Sequence, residues 1–376
     1  MFFRQKQEKN PIVVIKEDLK RRKITKKGNS NLSKEEKTLL QQIRNQTKEW
    51  NKNNVTRTKA YLDFYRLHPE VHWAFLGHMV SRNGGWNMTD LKGELLSRLL
   101  SNREKRSFFF FLERGNWLIF HDAYPQFLLY HESLKRNKPF FHLFPFLNIS
   151  VFMESIWSYF WENRHVSILT IALIINEQSY LEKRVIQNHL YKNEVFNKLE
   201  FKLQDVLSFN HILFPYVRNS VLHLAGQTLH QFDSIHERIL LGKRLYAVLF
   251  NNKELLKSAE KWANSTPHTG SRKDYWPHIF NNVHEGLPGK SYQLHLKSCS
   301  LRPGARRIYS PRLEIAWKNV KHVEAEEGDW FVDFLVLNYF SELAETVDGE
   351  IENEYCKTLE RLELAALAKK AISILD

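Results

Sequence analysis

Residues 166–175, Val-Ser-Ile-Leu-Thr-Ile-Ala-Leu-Ile-Ile, are apolar on nearly every side. Taken alone, such a run suits a buried strand as well as a buried helix. The pattern continues through Glu177, Leu181, Val185 and Ile186 at helical spacing, which selects the helix. A helix that is apolar all round must be covered all round. Phe108-Phe109-Phe110-Phe111 places the same demand on a second segment. The chain therefore needs several helices around a shared interior. Its 376 residues, 43% of them hydrophobic, supply ample core. A disordered chain is excluded. With 14 Gly and 11 Pro, turns are few, which favours long helices over a strand-rich sandwich.

Ser33-Lys34-Glu35-Glu36 has capping-box spacing and predicts a helix over about 34–50 that buries Leu39, Leu40 and Ile43. A second helix is expected over 57–67. It ends near His68, because the residue before Pro69 is pushed out of the α region. Pro69 then suits the first turn of the next helix. That helix runs into Gly84-Gly85, read as a break. Asn87 caps a new amphipathic helix carrying Leu91, Leu95, Leu96, Leu99 and Leu100. Gly115 is read as ending the Phe-rich helix, Asn116 as capping its successor and Pro125 as restarting it. Two long buried helices are expected over 148–192, then helices at about 194–209, 217–230, 234–250 and 252–263. Two more, at about 329–345 and 350–374, finish the chain. Residues 264–312 hold four Gly and five Pro and read as loop, with a short strand or hairpin at 292–296 and a helix after Ser310-Pro311.

Charge is distributed unevenly. Residues 1–60 carry 17 Lys and Arg against 6 Asp and Glu, while residues 321–376 carry 5 against 14. Either the acidic end neutralises the basic body, or the body meets an anionic partner such as nucleic acid, anionic lipid or a phosphate-bearing molecule. Residues 1–30, with Lys20-Arg21-Arg22-Lys23 and Lys26-Lys27, read as a basic, flexible arm. Cys299 and Cys356 stand far apart in sequence and form no Cys-x-x-Cys pair, which suits a reducing cytoplasm. No signal peptide is expected. The most apolar run, 140–161, is interrupted by Pro145, Asn148 and Glu154, so no transmembrane segment is expected.

Two places gather polar chemistry. In the first, Arg82, Asn83, Asn87 and Asp90 lie among Trp73, Met79, Trp86 and Met88, and polar groups set in apolar surface need partners or a ligand. They either line a pocket, or Arg82 pairs with Asp90 and Asn87 caps a helix. Glu177, at the end of the most apolar helix, is an acid/base candidate if buried, or a partner for Arg184 or Arg82. In the second, the loop 264–312, His268, Ser271, Arg272, Trp276, Arg306 and Arg307 place cations beside an aromatic ring, which suits an anionic or nucleotide-like ligand. Solvated arginines on a docked loop are the alternative. The phosphate loop, the dinucleotide fingerprint and the serine-hydrolase elbow are all absent. His68 and His72 are four apart, but Pro69 between them argues against a shared helical face. No metal and no cofactor are expected.

The stretch from Tyr61 through Gly93, above all His78-Met79-Val80-Ser81-Arg82-Asn83-Gly84-Gly85-Trp86-Asn87-Met88-Thr89-Asp90-Leu91, resembles the YppC-like family of uncharacterised proteins from spore-forming Gram-positive bacteria. Asn176-Glu177-Gln178, residues 268–280 and Ala316-Trp317 carry the same resemblance. It covers most of the chain beyond the arm, implies a bacterial cytoplasmic protein, and assigns no catalytic residue. The fold class expected is all-α: a single domain of about a dozen helices over 31–376, with 264–312 as its irregular basic segment. The leading functional expectation is binding of an anionic ligand through that loop and the arm. The alternatives are an enzyme with a pocket at Arg82, Asn83, Asn87, Asp90 and Glu177, and a peripheral protein that meets an anionic membrane surface through residues 1–30.

Overall fold

The computed structural model describes residues 10–24, 32–187, 210–286, 292–340 and 347–375. Helices dominate it. In order they are α1 (Pro11–Ile24), α2 (Lys34–Trp50), α3 (Asn54–Leu67), α4 (His72–Asp90), α5 (Asn102–Lys135), α6 (Val151–Asn163), α7 (Val166–Leu181), α8 (Ile235–Phe250), α9 (Lys253–Ser265) and α10 (Glu352–Leu375). Two eight-residue strands, β1 (His211–Arg218) and β2 (Val221–Thr228), form an antiparallel hairpin. Among the described residues the remaining strands are two residues long: Phe280–Asn281 pairs with Ile308–Tyr309, and Leu296–Lys297 with Ser300–Leu301.

The caps fall where side-chain chemistry puts them. Ser33 accepts from the Glu36 amide while Glu36 reaches back, and Ser101 does the same with Glu104 at the head of α5. His68 ends α3 before Pro69, as the steric rule requires. Pro69 then lies in a turn, and α4 begins at His72, three residues later than a first-turn proline would give.

Helix α4 is the hub, in contact with α3, α5, α7, α8 and β1. It corrects the expected break, because Gly84 and Gly85 lie inside one continuous helix. Their reason is close approach rather than turning. A Cβ on Gly84 would lie 2.9 Å from Asn116 Nδ2, and one on Gly85 would lie 2.3 Å from both Asn54 Oδ1 and His268 Nε2. Asn87 accordingly caps nothing, and the leucines after it fall in irregular turns with one short helix, Leu96–Leu99. Helix α5 likewise runs unbroken through Gly115, Asn116 and Pro125, about 50 Å end to end.

Four further expectations are corrected. The helix expected over 217–230 is instead strand β2 with its turn. Asn219 and Ser220 take positive φ (51° and 63°), the primed-turn geometry that matches strand twist. Of the expected 329–345 helix, the described part holds only a 3₁₀ stretch, Leu335–Phe340. After Ser310-Pro311 the helix is only Leu313–Ala316. Cys299 and Cys356 are joined as a disulfide with Cα atoms 5.3 Å apart, because the Leu296–Leu301 hairpin folds onto α10. The expected helix at 194–209 lies outside the described residues. In the expected arm, α1 is docked on α6 through the buried Ile15 and Leu19. Part of the acidic end does meet the body. Glu363 accepts from the amides of His295 and Leu296 and from His295 Nδ1 and Tyr292 Oη. Among the described residues no helix is long and apolar enough to cross a membrane.

Candidate functional site

One side of α4 presents Trp73, Gly77, Val80, Gly84 and Asn87, spaced by four, three, four and three residues. That stripe faces a cavity of about 260 Å³. Helix α5 closes another wall with Phe108, Phe111, Leu112, Gly115, Asn116 and Ile119. Helix α7 adds Ile174, Glu177, Gln178 and Leu181, and α8 adds Arg238, Leu241, Gly242 and Leu245. Four glycines thus bring backbone to the cavity from three helices. The spacing of 3.6 residues per turn puts each stripe on one face. Gly115 has open space where its Cβ would stand.

The wall is mostly apolar, and its charged groups are Glu177 and Arg238. Burial raises the Glu177 carboxyl to about 7, opposed by hydrogen bonds that Trp73 and Gln178 donate to it. Gln178 Nε2 lies 3.0 Å from Glu177 Oε1, and Gln178 Oε1 accepts from Arg238 Nε at 3.0 Å. Arg238 also donates to the Phe232 carbonyl at 2.6 Å and to Glu182. A chain of contacts therefore links the buried carboxyl to a charged pair at the end of α7. Behind it Asp122, also raised to about 7 by burial, accepts from Asn176 and Gln126.

Both carboxyls hold a proton more tightly folded than unfolded. The folded chain therefore binds the extra protons from pH 3.8 (Asp122) and 4.5 (Glu177) up to about 7, and stability falls as pH rises across that window. Glu177→Gln removes its share of that loss. The variant is expected to gain on the order of 1–3 kcal/mol over the parent at pH 8 and almost nothing at pH 4. Urea unfolding at the two pH values measures this, and an equal difference at both would refute the assignment.

The other expected residues lie elsewhere. Arg82 is buried on another face of α4, donating to the Thr266 carbonyl at 2.8 Å, 3.7 Å from Asp274 and 4.2 Å from the centre of the Trp262 ring. Asn83 acts on β1, donating to the Leu213 carbonyl at 2.9 Å and accepting from its amide at 2.8 Å. Asp90 and Asn87 both receive Arg272, at 2.7 and 3.1 Å. Glu177 and Asn87 line the cavity; Arg82, Asn83 and Asp90 do not.

The basic loop is fastened inward. Ser271 Oγ donates to the Ser310 carbonyl at 2.6 Å, and Trp276 is buried against Tyr355. Arg306 meets Glu94 at 2.6 Å, and Arg307 meets Glu285 through side chain and amide. His268 lies 2.8 Å from Asn54 Oδ1 and 3.4 Å from Asp274. His268 and Thr269 also line a second cavity, about 310 Å³, with Glu113, Arg312, Glu314 and Lys318. Its walls mix both charge signs, so they select no ligand charge.

Asp274, Asn54, Asn116, Arg238, Gly77, Gly115 and Gly242 are not among the expected site residues. The small-residue stripe Gly77–Gly84 was a readable signal for one wall. Nothing local shows that α5, α7 and α8 present matching stripes to it.

The family described as "Protein of unknown function (DUF2515)" matches residues 49–361. The chain is similar to the uncharacterized protein YppC of Bacillus subtilis (strain 168), 46% identical over 236 residues, covering 63% of this chain and 72% of YppC. No solved structure matches.

Proposed function

We propose, for a chain that belongs to the DUF2515 family of proteins of unknown function, that it binds a small, largely apolar molecule in the cavity between α4, α5, α7 and α8. The polar end of that molecule meets Glu177. One observation carries the reading: the described residues surround a space of about 260 Å³ lined mostly by glycines and apolar side chains, with Glu177 and Arg238 as its charged groups. Interiors close-pack, and voids larger than a water are few. Ligand sites are concave and mostly apolar, with a few convergent polar groups. A carboxyl near 7 accepts a hydroxyl, amide or ammonium group and disfavours a second carboxylate.

The anionic-ligand reading draws less support, because Arg272, Arg306 and Arg307 each already face a carboxylate. An enzyme built on Arg82, Asn83 and Asp90 is weakened by their lying outside the cavity. Glu177 itself keeps acid/base chemistry open, since it changes protonation near neutral pH.

Gly115→Leu tests the site. The side chain grows into open space on α5, so the fold is expected to persist with equal or higher melting temperature. A panel of small aromatic and aliphatic amines, alcohols and acids is titrated calorimetrically into parent and variant. Amines and alcohols are expected to bind the parent, with at least about tenfold loss in Gly115→Leu. Binding unchanged in the variant, or confined to acids, would overturn the reading.

A further inference from the structure

Helix α1 buries Ile15 and Leu19 against the body, and Arg22 is tied to Glu154 and to Ser158. Its opposite side is exposed and carries Val13, Lys16 and Lys20. Beside it runs the segment 331–335. Lys23 Nζ donates to the Val332 carbonyl and lies 4.8 Å from the centre of the Phe331 ring, while Lys16 lies 5.8 Å from that of Phe334. This packing buries Phe331 yet leaves Val332 and Leu335 75% and 71% exposed, with Val13 at 47%. Single exposed aliphatic residues are ordinary. Here three stand on adjoining elements, beside Lys16 and Lys23, which the same contacts hold in place, and the exposed Lys20.

We propose that this face docks on an anionic phospholipid bilayer. Val13, Val332 and Leu335 enter the interfacial layer, and Lys16 and Lys20 meet lipid phosphates. Glu17 and Asp333 are exposed in the same region, so charge alone gives modest attraction and apolar insertion must add to it. That combination favours a bilayer over a nucleic acid, whose phosphate backbone offers nothing to the aliphatic side chains.

The full chain is sedimented with vesicles of phosphatidylcholine alone and of phosphatidylcholine with phosphatidylglycerol. Binding is expected to be at least about tenfold tighter to the anionic vesicles at low salt. Val332→Ser/Leu335→Ser and Lys16→Glu/Lys20→Glu are each expected to weaken it by about tenfold. Thermal unfolding checks both variants; should either fail to fold, Val332→Ser and Lys20→Glu singly carry the same test. No binding to anionic vesicles overturns the proposal. So does undiminished binding by a folded variant, or tighter binding to duplex DNA than to the vesicles.

Discussion

Arg272→Ala is expected to lower the unfolding free energy by about 3–5 kcal/mol, the range for removing one partner of a buried ion pair. The guanidinium is 3% exposed and every arm is committed. Nε lies 2.7 Å and Nη2 2.6 Å from Asp90 Oδ2, Nη2 also reaches Asn87 Oδ1 at 3.1 Å, and Nη1 donates to Tyr275 Oη at 2.7 Å. Burial alone would favour loss of the proton, but Asp90 beside it holds Arg272 firmly as a cation. The backbone is pinned as well, because the Arg272 amide donates to Ser310 Oγ at 2.9 Å. Alanine strands the Asp90 carboxylate and removes one tie between the loop and α4, leaving that of Arg82 to the Thr266 carbonyl. Urea denaturation measures the loss. If the stranded charge is the cause, Arg272→Ala/Asp90→Ala is less destabilised than Arg272→Ala alone. A loss below about 1 kcal/mol would show that solvent replaces the clamp.

The same residue shows what could be read from sequence and what could not. From sequence Arg272 reads as a cation in a loop beside aromatics; the structure sets it, buried, in the 3₁₀ turn Arg272–Asp274 against Tyr275 and Tyr355. Its partner Asp90 is 182 residues away and arrives only through the packing of the loop on α4. Caps are local, so Ser33 and Ser101 act where Glu sits three residues on. The all-round apolar run at 166–175 had to be covered, and α4, α5, α6 and α8 cover it. Turn chemistry was harder. Asn219-Ser220 lacks the glycine that marks most primed hairpin turns, while Val221, Leu222, Leu224 and Ala225 mimic helical spacing. Gly84-Gly85 was readable as special but not as to why, since a glycine required for a turn and one required for close approach look alike in sequence.

Gly85→Ala therefore runs against helix propensity. In an exposed helix interior the change gains about 1 kcal/mol. Here the new Cβ would stand 2.3 Å from Asn54 Oδ1 and from His268 Nε2, two atoms that share a hydrogen bond of 2.8 Å. Neither has room to yield. Asn54 is fully buried and its Nδ2 donates to the Ser81 carbonyl at 2.8 Å and to Asn116 Oδ1 at 3.2 Å. His268 is backed by Asp274, which is fixed in turn by the Thr269 amide and hydroxyl at 2.9 and 2.6 Å. Parting this pair loses a buried hydrogen bond on top of the overpacking, so a loss of about 3 kcal/mol is expected. Gly115→Ala on α5 meets no atom within 4 Å and keeps the propensity gain of about 1 kcal/mol. Gly84→Ala falls between, because its Cβ would press on the Asn116 side chain at 2.9 Å. Urea unfolding should rank the three as Gly115→Ala, Gly84→Ala, Gly85→Ala in falling order. A Gly85 variant as stable as the Gly115 variant would mean that the Asn54–His268 contact is free to move. The glycine at position 85 would then need another reason. The ranking separates a glycine that leaves room for a cavity from one that leaves room for a hydrogen bond.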